Sequence, residues 1–393
     1  MPGLKNIGSL SLKKEVYRTQ KTIVYEAEKL LASTKFIVVE YLDASDYEKV
    51  CGQIGLLSNS SADGLIVPKK DLNNEKYIFF KSFSGQPVCF EDWKDTAVQI
   101  KACMGICEAF QFLKDNGLGL TRYDESRLKA DHSTGEVKLR IYDYIDKQEN
   151  LTAETVIPGK CVLPVGLCKD MNDSLSHTLA CILFNVLVGC DPYYGRILMQ
   201  SPFVTDELTS SVYGGGRVFI FDKNDCSNSA VPGMQTKEEL RWSTLPGAVQ
   251  EAFAKSLSQT DTFVSVEEWK HLLEIMRRGL YACPDCKRVI YLNLGQRCTC
   301  PWCGKEMDAT RVLTSSSEKT IPLMAGQNIV IRGEIWGQVL VNAEGRLIIR
   351  NTSKKQWQAK TPSGNEKTVE PGQTMPVREG LKVCIGGTDL LIK

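Results

Sequence analysis

Four cysteines in the segment CPDCKRVIYLNLGQRCTCPWCGKEM carry the clearest chemistry in the chain. Cys283 with Cys286, and Cys300 with Cys303, form two Cys-Pro-x-Cys knuckles separated by thirteen residues. A knuckle of this kind is a tight turn that aims two thiolates and nearby backbone N–H groups at one point. Two of them facing each other across a β-hairpin, for which the apolar run RVIYLNL supplies the strand, would give the four-sulfur tetrahedron that zinc accepts. A site closed by four protein thiolates keeps no position for water, so the zinc expected here is structural rather than catalytic. It would staple a module too small to fold on its own core. Cys298 is the alternative ligand to Cys300, at a less regular spacing. The other cysteines are scattered through segments such as KACMGICEAF and LKVCIGG, where free buried thiols are expected.

A second group with chemical potential occupies residues 117–146, GLGLTRYDESRLKADHSTGEVKLRIYDYID. An acid-bearing turn, a hairpin around STGEV and a strand leading to a second acid follow one another. Asp124 and Asp143 are the candidate catalytic carboxylates, and Asp143 with Asp146 the candidate magnesium ligands. The plain structural alternative is that Asp124 and Asp143 are turn acids capping local backbone.

The elements that must hold these groups are legible from periodicity. Between residues 14 and 92, KTIVYEAEKL, KFIVVEYL, GLIVPKK and KYIFFKSF read as strands of a small, mainly antiparallel sheet. DASDYEKVCGQIGLL, opened by an acidic or Ser cap, reads as one short helix among them. From residue 95 the character becomes helical. DTAVQIKACMGICEAFQFLKDNG has apolar residues at helical spacing and ends on Gly, which predicts a long buried helix. SLSHTLACILFNVLVGCDPYYG is apolar nearly all round and suits a helix inside a domain. LPGAVQEAFAKSLSQ and SVEEWKHLLEIMRRGL are two further amphipathic helices. Residues 319–393 alternate apolar and polar types between Gly, Asn and Pro turns, the pattern of a small β-sandwich or barrel, and LTSSSEKT reads as the linker before it.

Composition narrows the function classes. Lysine and arginine number 48 against 47 acidic residues, net +1, so no long-range field points to nucleic acid or to an anionic membrane. No stretch reaches the roughly 18 unbroken apolar residues that a membrane span needs. MPGLKNIGSLSLKKEVYRTQ has no apolar core of signal-peptide type, and a cytoplasmic location is expected.

A small sheet with one helix, followed by a larger helical lobe with an acid-bearing loop, is the two-lobe protein-kinase layout. After the turn DPYYG, the stretches SSVYGGGRVFIFDKNDCSNS, RWSTLPGAVQEAFAKSLS and EEWKHLL resemble the C-lobe of a bacterial Ser/Thr-protein-kinase-like family from tellurium-resistance-associated phosphorylation triads. IPLMAGQNIVI, RNTSKKQWQAKTPSGN and VEPGQTMPVREGLKVCIGG resemble that family's forkhead-associated-like tail. The resemblance implies an α+β protein: a kinase-like N-lobe over 1–94, a helical C-lobe over 95–280, a zinc ribbon over 281–310, and a forkhead-associated-like all-β sandwich over 319–393. It also implies protein partners, namely a von Willebrand-type metal-binding domain or a phosphatase.

Kinase chemistry needs a Gly-rich loop over the phosphates, a strand lysine paired with a helix glutamate, a catalytic Asp with an Asn five residues later, and a metal-binding Asp after the next strand. LSLKKEVYRTQKTIVYEAE contains no glycine. The strand FIVVEYL puts Glu40 at the lysine position, where a carboxylate would repel a triphosphate; Lys35 or Lys49 would have to act from elsewhere, and Glu48 is the helix glutamate candidate. Counting from STGEV, Arg122 stands at the catalytic Asp and Arg127 at the Asn; counting from Asp143, Asp124 and Lys129 do. In either frame a cation replaces the metal-binding Asn. Tyr144 and Ile145 follow Asp143, so the usual Gly hinge is missing.

The expected function is therefore a pseudokinase acting as a regulatory scaffold in a phosphorylation-linked system. The alternative is an active Ser/Thr kinase with non-standard ATP and Mg²⁺ sites built on Asp124 and Asp143. In the tail, Arg332, Arg350, Asn351 and Ser353 are the candidate residues for reading a phosphothreonine.

Overall fold

A computed structural model describes residues 6–29, 32–71, 75–157, 159–258, 262–315, 320–331 and 334–393. The chain divides into two compact units, one of residues 1–239 and 247–276, the other of 240–246 and 277–393. Among the described residues no helix is long and apolar enough to cross a membrane.

The first unit begins with an antiparallel six-stranded sheet. Its strands are β1 (Asn6–Ile7), β2 (Leu10–Arg18), β3 (Thr22–Lys29), β4 (Lys35–Tyr41), β5 (Lys69–Lys70) and β6 (Tyr77–Lys81), in spatial order β1-β2-β3-β4-β6-β5. Side chains alternate across a strand, and β4 shows the consequence. Phe36 and Val38 pack with Leu10, Leu12, Ala27 and Tyr77 on one face, while Ile37, Val39 and Tyr41 line cavities on the other. The helix α1 (Ala44–Leu56) follows β4, capped by Asp43, whose carboxylate accepts from the N–H groups of Ser45 and Asp46.

Two expectations for this sheet fail in instructive ways. The nine-residue strand β2 lies ahead of the first strand run expected from sequence. Only Leu10 and Leu12 of it are buried, and register shifts between Leu12/Lys14 and Glu15/Tyr17 break its alternation. GLIVPKK contributes only Lys69–Lys70 to the sheet. Its apolar part instead bridges Leu65 to Leu139, in the helical part of the unit.

The helical part is built on α2 (Thr96–Asp115) and α3 (Met171–Val188). Asp95 caps α2, and Asp170 caps α3 through the N–H groups of Asn172 and Asp173. The α3 helix has no polar face because it is surrounded, and Gly189 ends it in the left-handed conformation at φ 91°. The α2 side chain Gln99 donates to the Val186 carbonyl at 2.8 Å, so a buried amide also joins the two helices. The expected helices near the end of this unit are Gly247–Leu257 and Val266–Arg278.

Ahead of α2 lies β7 (Gln86–Pro87), and between α2 and α3 come β8 (Leu118–Leu120), β9 (Leu128–Ala130), β10 (Val137–Leu139) and β11 (Ile145–Lys147). β9 and β10 pair around the STGEV turn, and β11 pairs back onto β8 with Ile145 opposite Leu120. These two ladders fix the loops 121–127 and 140–144 side by side.

The second unit opens with two small hairpins, β12 (Leu280–Ala282) with β13 (Val289–Tyr291) and β14 (Arg297–Thr299) with β15 (Glu306–Asp308). Each knuckle is the turn of its own hairpin, rather than the two flanking a shared one. The sequence placed RVIYLNL between the knuckles, but β13 pairs backwards with β12 because Lys287, directly after the first knuckle, reverses the chain at φ 63°.

The rest of the unit forms a six-stranded and a four-stranded sheet. Leu313, Ile329, Trp336, Ile349, Trp357, Val383 and Ile392, from strands of both sheets, share one core. Gly337 is required where it stands, since a Cβ there would meet the Trp357 ring at 2.7 Å. The strand Val312–Ser315 runs into the stretch read as a linker and pairs with Thr388–Ile392; residues 316–319 of that linker lie outside the described residues.

Candidate functional site

Two places collect chemically capable side chains, one in each unit. In the second unit the Sγ atoms of Cys283, Cys286, Cys300 and Cys303 all lie within 4.8 Å of one another. Cys283 and Cys303 are separated by 3.8 Å between sulfurs, as are Cys286 and Cys300. Zinc–thiolate bonds of about 2.3 Å in a tetrahedron place sulfurs about 3.8 Å apart, whereas a disulfide needs about 2.05 Å. The arrangement therefore fits a metal ion and not a pair of disulfides.

The knuckle backbones explain the convergence. Cys283 N–H donates to the Arg288 carbonyl and Lys287 N–H to the Cys283 carbonyl; Cys300 N–H with Lys305, and Gly304 N–H with Cys300, repeat the pattern. Lys287 and Gly304, at φ 63° and 72°, occupy the same left-handed position after each second cysteine. Burial works against a charged Cys283 sulfur, but the N–H groups of Asp285 and Cys286 outweigh it and hold the thiol below the usual cysteine range. Cys298 is not in the cluster; its Sγ lies 3.9 Å from the Met307 carbonyl. Of the other cysteines, Cys103, Cys107, Cys161 and Cys181 are buried as expected, but Cys89 and Cys226 are exposed.

In the first unit, a cleft cavity of about 350 Å³ is bounded by the β2–β3 turn, β4, α1 and the loops 121–127 and 140–144. Thr19 organises the turn. Its hydroxyl oxygen accepts from the N–H groups of Lys21 and Thr22 at 3.1 and 2.9 Å, and its own N–H donates to the Thr22 carbonyl at 2.8 Å. Lys21 reaches over to Asp46 of α1 at 3.1 Å.

Strand β4 contributes Val39 and Tyr41 to the cleft. Glu40 is not there. Its carboxylate accepts from the Tyr25 and Tyr77 hydroxyls at 3.0 Å each and pairs with Lys76 at 2.7 Å. Burial works to raise its pKa, but Lys76 and the two hydroxyls prevail and hold it below the usual carboxylate range. Glu40 therefore shares the Phe36 and Val38 face of β4 and does not stand in the cleft, contrary to the position expected from the strand FIVVEYL. Of the lysines considered as substitutes, Lys49 lines the cleft and Lys35 does not. Glu48 is exposed; the polar residue that α1 turns inward is Gln53, whose amide donates to the Ile145 carbonyl at 3.0 Å.

Arg122, Arg127 and Asp143 also line the cleft. Arg127 donates through Nη1 to Asp143 Oδ1 at 3.0 Å and through Nη2 to the Tyr144 hydroxyl at 2.6 Å. Burial would lower the Arg127 pKa, but the Asp143 carboxylate outweighs it and the guanidinium is raised above its ordinary range. Both arginines sit with the guanidinium carbon 4.1 Å from the Tyr144 ring centre. Asp124 is not part of the cleft lining. It caps a turn, accepting from Ser126 N–H at 2.8 Å. Asp146 likewise accepts from Asn150 and from the N–H of Lys147, both at 2.8 Å, and does not join Asp143 in the cleft. Lys129 lines an adjoining cavity of about 210 Å³.

This geometry can be set beside known proteins. The autoinhibited serine kinase domain of the giant muscle protein titin superposes with a TM-score of 0.50 at 11% identity, over 68% of this chain and 80% of that one. The fold is protein-kinase-like. No family model matches the chain, and no curated protein matches it. Arg127 stands directly ahead of β9, at the end of the loop 121–127.

The residues proposed to read phosphothreonine fare differently. Arg332 lies outside the described residues. Arg350 is exposed, but Asn351 is fully buried. Its amide donates to the Lys355 and Val369 carbonyls at 2.8 and 3.0 Å, and its oxygen accepts from the Ser353 N–H and hydroxyl. Both side chains are committed to shaping the 351–355 turn. Asn351→Ala would remove the amide donor to the Val369 and Lys355 carbonyls, of which Lys355 keeps the Ser353 hydroxyl, and the acceptor of the Ser353 N–H; we expect it to destabilise this β-rich unit by about 2 kcal/mol. Thermal unfolding of the full chain, followed by near-ultraviolet signals of Trp336 and Trp357, would check it.

Proposed function

We propose that the chain is a pseudokinase: a kinase-like body kept for binding protein partners, joined to a structural zinc ribbon and a forkhead-associated-like β-sandwich. One observation carries the reading. The Arg127 guanidinium lies on Asp143, the residue that the kinase layout reserves for a metal ion. A magnesium ion would need to sit about 2.1 Å from that carboxylate, and the fixed positive charge opposes it. This supports the frame in which Arg122 and Arg127 replace the catalytic Asp and the metal-binding Asn.

Two other features agree. The turn replacing the Gly-rich loop spends the N–H groups of Thr19, Lys21 and Thr22 internally, so they are not offered to phosphate. On the cavity walls β4 places Ile37, Val39 and Tyr41, while Lys35 at its start lines neither cavity. The partner class favoured by the sequence resemblance is a von Willebrand-type domain or a phosphatase, and the zinc, held by Cys283, Cys286, Cys300 and Cys303, would act only as a staple.

Incubation of the full chain with labelled ATP and Mg²⁺, alone and with a general Ser/Thr substrate, is expected to give no phosphoryl incorporation above background. Asp143→Ala should leave that result unchanged. Incorporation that Asp143→Ala abolishes would establish the active-kinase alternative and overturn the proposal.

A further inference from the structure

The cleft carries a charge pattern that a passive scaffold does not use. Five cations, Lys21, Lys49, Arg122, Arg127 and Arg140, line it against two carboxylates, Asp46 and Asp143. Lys21 pairs with Asp46 at 3.1 Å and Arg127 with Asp143 at 3.0 Å. Among the described residues, Lys49, Arg122 and Arg140 therefore face the same concave space without a carboxylate partner. Like charges held together repel one another unless an anion relieves them, and the low-dielectric walls of a cleft concentrate their field.

A second cavity adjoins the first and shares Tyr17, Arg127 and Arg140 with it. Its other walls combine Val24, Ile37, Ile66, Phe80 and Phe83 with Lys129 and Lys138, the latter paired with Glu136 at 3.3 Å. The combined groove is thus cationic along both parts, with apolar side chains concentrated in the second.

We infer that the cleft binds an oligophosphate anion directly on its guanidinium groups, with no divalent metal. The inference rests on the pseudokinase reading only in taking Arg127 as the occupant of the metal position. Guanidinium forks match phosphate oxygens with paired N–H donors and keep their charge at any physiological pH. Arg122 already rests over the Tyr144 ring, and Arg127 is fixed by Asp143 and Tyr144, so little side-chain freedom is lost on binding. Asp143 would be the unfavourable neighbour of the ligand, the reverse of its role in a metal-dependent kinase. The apolar side chains of the second cavity would accept a ring attached to the phosphates, which separates a nucleotide from a free oligophosphate.

The test is calorimetric titration of the full chain with inorganic tripolyphosphate and, separately, with ATP, each in EDTA and in excess Mg²⁺. Binding is expected in EDTA and should weaken several-fold in Mg²⁺, which neutralises the ligand. Arg127→Ala and Arg140→Ala should each weaken it at least tenfold, whereas Asp143→Asn should tighten it. Lys49→Ala, on the exposed face of α1, serves as the reporter should Arg127→Ala fail to fold. Tighter binding of ATP than of tripolyphosphate would identify a nucleotide as the natural class; equal binding would identify a free oligophosphate. Absence of binding by both in EDTA, or binding that requires Mg²⁺ and is lost in Asp143→Asn, would overturn the inference. Phosphoryl transfer in the assay above would overturn the pseudokinase reading without altering these metal-free titrations, so the two failures are distinguishable.

Discussion

Replacing Cys286 or Cys300 with Ser is expected to unfold the two hairpins between residues 280 and 308, the largest effect that any single change in this chain should have. The buried apolar side chains around the thiols are few: Ile290, Leu292, Met307, Ala309 and Met324. Such a core cannot organise two three-residue-strand hairpins by itself. Structural zinc sites contribute about 10–16 kcal/mol of apparent binding energy at neutral pH, comparable to the whole stability of an ordinary domain. A ligand lost from a four-thiolate site forfeits a large part of it. The intact 393-residue protein should contain one zinc ion per chain by elemental analysis. In the variants, proteolysis should begin inside 280–308, and the remaining cysteines of the set should become reactive toward thiol reagents. A metal-free protein whose hairpins resist proteolysis would contradict the assignment. The first unit, with its own core, should keep its helical circular dichroism in the same variants.

What the sequence made legible depended on whether a signal was local. The two Cys-Pro-x-Cys knuckles declare themselves because each is a five-residue structure with its geometry written into residue type. The helices α1, α2 and α3 are similarly visible, since caps and apolar period lie within each segment. The cleft was harder. That Arg127 rather than Lys129 precedes β9 depends on where a three-residue strand starts, and Arg127's contact with Asp143 crosses sixteen positions of sequence. The strand motif alone points Glu40 at the cleft, whereas the pairing of β4 with β3 and β6 turns it to the other face, and a one-residue slip reverses every side chain. Gln53 gave no signal of its own: a glutamine on a helix is ordinary until the Ile145 carbonyl is found beside it. Strand β2 was missed because six of its nine residues are exposed and its register shifts twice, so it lacks the alternation that marks a half-buried strand.

Acidification from pH 7 to 5 should destabilise the first unit, and His177 on α3 should account for most of the change. The ring is fully enclosed. Its Nδ1 donates to the Cys161 carbonyl at 2.7 Å, and the Tyr193 hydroxyl lies 2.7 Å from Nε2 and 2.9 Å from the Leu257 carbonyl. Burial drives the imidazole pKa down to about 3; the Cys161 carbonyl acts in the opposite sense but is outweighed. The folded protein thus keeps His177 neutral, while the unfolded chain takes up a proton below about pH 6.5. Stability is therefore fully present above that pH and is lost as pH falls through the window from about 6.5 to 3, reaching about 5 kcal/mol in all. Between pH 7 and 5 the expected loss is about 2 kcal/mol, before most carboxylates titrate. His132, also lowered by burial, adds a change of the same sign. Urea unfolding followed by far-ultraviolet circular dichroism, to which the helices of the first unit contribute most, reads the effect directly. His177→Gln, which retains a donor toward Cys161, should be less stable at pH 7 yet lose most of the pH dependence. An unchanged slope in that variant would mean that the proton is taken up elsewhere.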